Sequence, residues 1–173
     1  MQKSHSVQGR HRARELATQL LYSLGARTEQ NLDESLDYFN SENGFAFEET
    51  SEVKQYMSFL VRGVWDRWHE IDNLMRKVVS GWRPERMVSV DRAVLRMAIF
   101  EGFIEKKVPL AVAISEAVEL ARAFGTEDSG KFVNGVLAKM SRFAEGEEFS
   151  GKEDKKDNDK GDAAATAEIS TDR

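Results

Sequence analysis

The chain of 173 residues is 40% apolar, enough to bury a core, and its lack of cysteine excludes a disulfide framework, a thiolate metal site and a cysteine nucleophile. Its formal charge of -5 is lodged at one end: Glu145 to Arg173 hold ten acids and five bases, so the remaining body is neutral. Apolar runs stay far short of a bilayer span, and the opening MQKSHSVQGRHRARE has no signal-peptide core, which predicts a cytoplasmic protein.

Residues 1–9 are polar and aperiodic and read as a flexible basic arm. Leu16, Leu20 and Leu24, with Ala17 and Leu21 beside them, form one apolar stripe, so a first helix is expected from about Arg10 to Gly25. A weaker helix is expected around Leu32 to Phe39, followed by the loop SENGFAFEET. From Ser51 the apolar residues Val53, Tyr56, Met57, Leu60, Val64, Trp68, Ile71, Met75 and Val78 step by three and four, predicting one long or kinked helix that closes at Gly81 with Pro84 behind it.

Ser89 is a candidate cap for a helix with Val90, Val94, Leu95, Ala98 and Ile99 on its buried face and Asp91 in its positive first turn. Pro109, at a first helical position, opens a helix whose apolar face is Val112, Ala113, Ala117, Leu120, Ala121 and Phe124, stopped by Gly125. A last helix runs from about Asp128 to Phe143, with Phe132, Val133, Val136, Leu137 and Met140 inward. No segment alternates at period two. The expected fold is all-α: about seven helices in two small packed subdomains, residues 10–82 and 83–145, joined by the WRPERM turn and followed by a disordered charged tail, 146–173.

The histidines lack the spacing of a helical zinc motif, and no strand-fed glycine loop is present, so neither metal nor cofactor is expected and the chain does not read as an enzyme. Trp65, Trp68 and Trp82 read as packing residues. The basic cluster carries more information. Lys3, Arg10, Arg12 and Arg14 precede the first acid, Glu15, with His5 and His11 among them. The macrodipole disfavours cations at a helix start, so folding stability does not explain them. Guanidinium forks there suit phosphate oxygens, and Tyr22 further along the helix could stack on a base, which points to single-stranded RNA. The same residues also allow a solvated face of arginines with Tyr22 in the core.

The segment RHRARELATQLLYS at 10–23 resembles the opening of the NusB family of transcription antitermination factors. FGTEDSGKFVNGVLAKM at 124–140 is similar to the family's most distinctive motif, and VDRAVLRMAIFE at 90–101 and VPLAVAISEAVELARAFG at 108–125 to its middle helices. The likeness covers roughly residues 10–143 and implies an all-helical RNA-binding domain. It implies binding of the boxA element of nascent ribosomal or phage RNA as a heterodimer with NusE, a small-subunit ribosomal protein, within an RNA polymerase antitermination complex.

Carried over by position, the resemblance implies RNA contacts at Arg10, His11, Arg12, Arg14 and Tyr22, with Lys131 and Phe132 as a second region. It implies partner contacts at Asp91, Leu110 and Asp128. His11 stands for an expected arginine, and Leu110 lacks the hydroxyl of the tyrosine that some members carry. A homodimer of the free chain, hiding the arm, is a further partner the sequence allows. Two other functions compete: an RNA-binding module like those preceding ribosomal RNA methyltransferase domains, against which the chain's length argues, and an adaptor that binds only protein.

Overall fold

A computed structural model describes residues 2–25, 31–43, 51–79, 83 and 86–146, with side chains from Val7 onward. Trp82, the closing Gly81–Pro84 signal, the SENGFAFEET loop beyond Asn43 and the tail beyond Gly146 lie outside the described residues. Among the described residues the structure is all-helical: α1 (Gln2–Gly25), α2 (Leu32–Glu42), α3 (Glu52–Asp66), α4 (Trp68–Val78), α5 (Ser89–Ala98), a π-helical turn (Ile99–Ile104), α6 (Leu110–Phe124) and α7 (Ser129–Ala144).

Helix α1 begins at Gln2, eight residues before the expected start at Arg10. Residues 2–9 contain no proline and only one glycine, so nothing stops the helix propagating backward from its packed half. The arginines therefore lie inside the helix and not at its positive end. Its leucine stripe is buried as expected, Ala13, Leu16, Ala17, Leu20, Leu21 and Leu24 being at most 2% exposed, and it packs on α3 and α5. Asn31, unanticipated in the sequence, caps α2 by accepting from the amides of Asp33 and Glu34.

The long helix expected from Ser51 is broken at Arg67, which leaves helical geometry at ψ 16° between α3 and α4. One turn upstream the Phe100 ring lies against Gly63 so closely that a Cβ there would stand 1.8 Å from Phe100 Cζ. Glycine is required for that approach of the π turn to α3. Beyond the break, Ile71, Met75 and Val78 keep their burial.

The structure differs most from the amphipathic reading at α5. Ten consecutive residues, Ala93 to Gly102, are buried. A helix surrounded on all sides cannot have one apolar face, and its polar members must find partners inside. Arg96 does so with Asp72 of α4 through paired contacts of 2.8 and 2.7 Å, its guanidinium 3.6 Å from the Trp68 ring centre. Val88 occupies the cap position expected for Ser89, which is the first helical residue and makes no cap hydrogen bond.

After Ala98 the helix widens into the π turn, where the amide of Glu105 reaches the carbonyl of Phe100 at 2.9 Å. Pro109 is the cap of α6 and not its first residue. On α6 the inward face is narrower than expected: Ala113, Ala117, Leu120 and Ala121 are buried, whereas Val112 and Phe124 are exposed. Helices α6 and α7 pack as an antiparallel pair on α5, and one cluster of buried residues runs from Leu16 and Leu60 through Leu95 and Ile99 to Leu137.

Candidate nucleic-acid interface

The basic segment of α1 divides by depth. Arg10 and Arg12 are exposed, His11 is half-buried, and Arg14 is only 2% exposed. Arg14, expected at the RNA-facing surface, is instead turned inward. Its Nε and Nη2 donate to Glu101 at 2.8–3.0 Å, and Nη1 lies 3.2 Å from Glu116 Oε2. Burial lowers the Arg14 pKa, but the hydrogen bonds and charge of Glu101, with Glu116 and Tyr56 behind them, outweigh it and hold the group above its ordinary value.

The Tyr56 hydroxyl donates to the same Glu101 oxygen. Burial first, then that hydrogen bond and the Glu101 charge, push the phenol well above its usual range, against the opposing charges of Arg14 and Arg10. A guanidinium this deeply buried and held by two carboxylates presents no open face to a phosphate. The sequence does hold a trace of this network: Glu101 is an acid set among Ile99, Phe100, Phe103 and Ile104.

The outer face of α1 is free of this network. Arg12, Gln19 and Tyr22 are exposed at helical spacing, with Glu15 between them. Arg12 donates to Glu15 at 2.9 Å across an exposed pair, an interaction of about 0–1 kcal/mol that an incoming phosphate can replace. His11 borders the face, its Nδ1 2.8 Å from Glu116 Oε2 on α6. Tyr22 is 47% exposed, which excludes the reading that places it in the core.

Toward its end, α1 meets α5: a Cβ on Gly25 would be 3.9 Å from Arg92. The adjacent Asp91 pairs with Ser129 at the start of α7, which brings Tyr22 to the same end of the molecule as Lys131 and Phe132. Both of these are exposed, Phe132 at 40%.

Among the three expected partner contacts, Asp91 is also away from the surface. It is 4% exposed and turned inward, with Oδ1 lacking a hydrogen-bond partner among the described residues. Burial raises its pKa, and the hydrogen bond with Ser129 opposes the rise. Asp128 is exposed at the cap of α7 and makes no cap hydrogen bond. Leu110, half-buried, opens α6 in a groove that also includes Ala144. The antiparallel pairing sets Leu110 and Asp128 at opposite ends of α6, about 21 Å apart for fifteen residues. The fold thus gathers Asp91 and Asp128 but leaves Leu110 apart. Among the described residues no cluster of three His, Asp or Glu could hold a metal, and no helix is long and apolar enough to cross a membrane.

Comparison with known proteins fits this architecture. The family model described as "NusB family" matches residues 11–142. A Symbiobacterium thermophilum protein named transcription antitermination protein NusB is 39% identical over 140 residues, covering 79% of this chain and 92% of the relative. Its namesake in Anaeromyxobacter dehalogenans is 42% identical over 133 residues, covering 76% and 89%.

Among solved structures, NusB of T. maritima superposes with a TM-score of 0.68 at 33% identity, over 77% of this chain and 90% of the other. A chain in a complex of the antitermination factors NusB and NusE with double-stranded RNA gives 0.69 at 27%, over 79% and 98%. With the matched segment spanning α1 to α7 and the same helical fold in the solved relatives, this chain belongs to the NusB family of transcription antitermination proteins, a family of non-enzymatic factors.

Proposed function

We propose that the chain binds boxA-type single-stranded RNA in nascent ribosomal RNA transcripts together with the ribosomal protein NusE, and that the pair joins the antitermination complex on RNA polymerase. The observation that carries this reading is the exposed surface of α1, where Arg12 supplies a phosphate donor with the Tyr22 ring in line with it, and Arg10, on the flank toward α3, adds a second cation. Lys131 and Phe132 at the start of α7 repeat the combination of cation and ring.

Arg14 and Asp91 act from inside, the first fixing α1 to the π turn and the second fixing α5 to α7, and neither touches a ligand. Asp128 remains the candidate contact for the basic ribosomal protein. A second copy of the chain, the free-state partner allowed by the sequence, would occupy the α1 face in the absence of RNA. The relative crystallised with NusE and double-stranded RNA supports NusE and RNA as the classes of partner.

Fluorescence anisotropy of a labelled boxA-containing RNA against a scrambled one, with and without NusE at near-physiological salt, tests the proposal. Tight selective binding only with both proteins is expected. Equal weak binding to both RNAs throughout would leave a role in binding protein alone.

A further inference from the structure

Between α1, α3 and the turn after the π helix lies a cleft of about 400 Å³ that shares only Arg10 with the two contact regions. Its walls are the rings of Tyr56 and Phe59, centroids 5.9 Å apart. Two cations stand at these rings: the Arg10 guanidinium 5.2 Å from the Tyr56 centroid, and the Lys107 ammonium 5.5 Å from that of Phe59. Both cations are exposed.

The cleft is built by the fold. Tyr56 is anchored by its hydroxyl to Glu101, and Phe59 is backed by Phe100 at 5.3 Å. Lys107 is placed by the turn that ends the π helix, where its amide donates to the Glu101 carbonyl at 2.9 Å and Lys106 takes a positive φ of 50°. Gln55 and Glu52 add polar groups to the lining. Glu52, in the first turn of α3, also suits that helix's positive end.

We infer that this cleft is a binding site for one nucleotide unit, a planar base carrying a phosphate. A base stacks on the guanidinium plane of Arg10, which itself lies over Tyr56. Arginine is the cation suited to such stacking, because its charge is spread over a flat, weakly hydrated group. Lys107 provides the point charge for the phosphate, and Gln55 and Glu52 can accept from or donate to a base edge according to type. A purely apolar ligand would leave two cations and a carboxylate desolvated, and a simple anion would leave the rings unused. Arg10 joins the cleft to the outer face of α1, so an RNA strand lying on that face can deliver one splayed nucleotide here. In that form the inference rests on the RNA reading above; a free mononucleotide has the same chemistry.

The test follows the aromatic side-chain NMR signals of the full chain, ring-labelled at Tyr and Phe, during titration with a single-stranded boxA RNA and separately with AMP and UMP. Wild type is compared with Lys107→Gln, a change in an exposed turn that leaves the core intact. Shifts of the Tyr56 and Phe59 rings with RNA alone support a strand-delivered nucleotide, and shifts with the mononucleotides as well support a free-nucleotide site.

In either case Lys107→Gln is expected to weaken binding several-fold; for RNA the slope of log K against log salt falls by about 0.7, as for one phosphate contact to a single strand. RNA that perturbs Phe132 and Tyr22 but leaves the Tyr56 and Phe59 rings unmoved overturns the cleft and spares the proposed function. RNA that perturbs none of these rings, while AMP or UMP moves those of the cleft, overturns the proposed function and keeps the site. Unchanged affinity in Lys107→Gln for every ligand overturns the assignment.

Discussion

Arg14 and Glu101, 87 residues apart in the chain, meet through paired hydrogen bonds of 2.8–3.0 Å with both side chains at most 3% exposed. The pair ties the first helix to the far end of the central one. Removing one partner leaves the other charge buried and uncompensated, which costs about 3–5 kcal/mol. Arg14→Ala is expected to lose stability of that order in chemical denaturation, and Arg14→Met with Glu101→Leu to recover much of it. A variant Arg14→Ala with wild-type stability and impaired RNA binding would show that the guanidinium reaches ligand after all.

Arg12 is the converse case. Its exposed pairing with Glu15 contributes little to folding, so Arg12→Ala should leave helicity and melting temperature unchanged. Binding of boxA RNA is expected to weaken several-fold with a shallower salt dependence. Salt titrations of both proteins check this, and parallel curves offset by nothing would remove Arg12 from the interface.

Much of the fold is legible in the sequence because its helices announce themselves by period. Leu16, Leu20 and Leu24 predict the inner face of α1, and Val133, Val136, Leu137 and Met140 that of α7, all of them buried. The site is less legible because exposure within one helix depends on what lies opposite. Arg12 and Arg14 are indistinguishable by residue type, and only the position of Glu101 separates them. Asp91 is hidden from sequence reasoning in the same way: an acid in a first turn looks solvent-facing until α7 is laid over it. At α5 the periodicity misleads, since Arg96 looks like the polar side of an amphipathic helix and is in fact enclosed with Asp72 and Trp68.

Asp91 gives a pH dependence whose sign is fixed by its raised pKa. The folded state holds the proton to higher pH than the unfolded chain does, so this group favours folding below the ordinary carboxylate range, and the contribution is lost as pH rises through the raised value. Asp91→Asn keeps an acceptor for Ser129 and is always neutral. It is expected to melt above wild type at pH 7, with the difference shrinking toward pH 4. A constant difference, or a lower melting temperature at pH 7, would count against a strained carboxylate.

For Asp128 the expectation concerns binding more than folding. A carboxylate at the start of α7 is worth about 0.3–1 kcal/mol through the helix dipole, so Asp128→Asn should cost no more than that in stability. Affinity for NusE, read by calorimetry, is expected to fall by a larger factor; an unaltered titration removes Asp128 from the partner surface.

Gly63 tests the contact between α3 and the π turn. With Phe100 atoms 1.8–2.4 Å from a notional Cβ, Gly63→Ala must displace the ring, at a cost typical of overpacking, about 1–3 kcal/mol. Phe100→Leu in the same chain should relieve part of it. Denaturation midpoints of the single and double variants measure the coupling.

The unbroken burial of Ala93 to Gly102 sets how the molecule comes apart. Amides along this rod meet solvent only when the helices around it have left, so their hydrogen exchange should track complete unfolding and be the slowest in the chain. The ends of α1 and α2 can fray without disturbing it. The central helix is thus expected to be the last element to open, an axle that stays in place while the layers around it loosen.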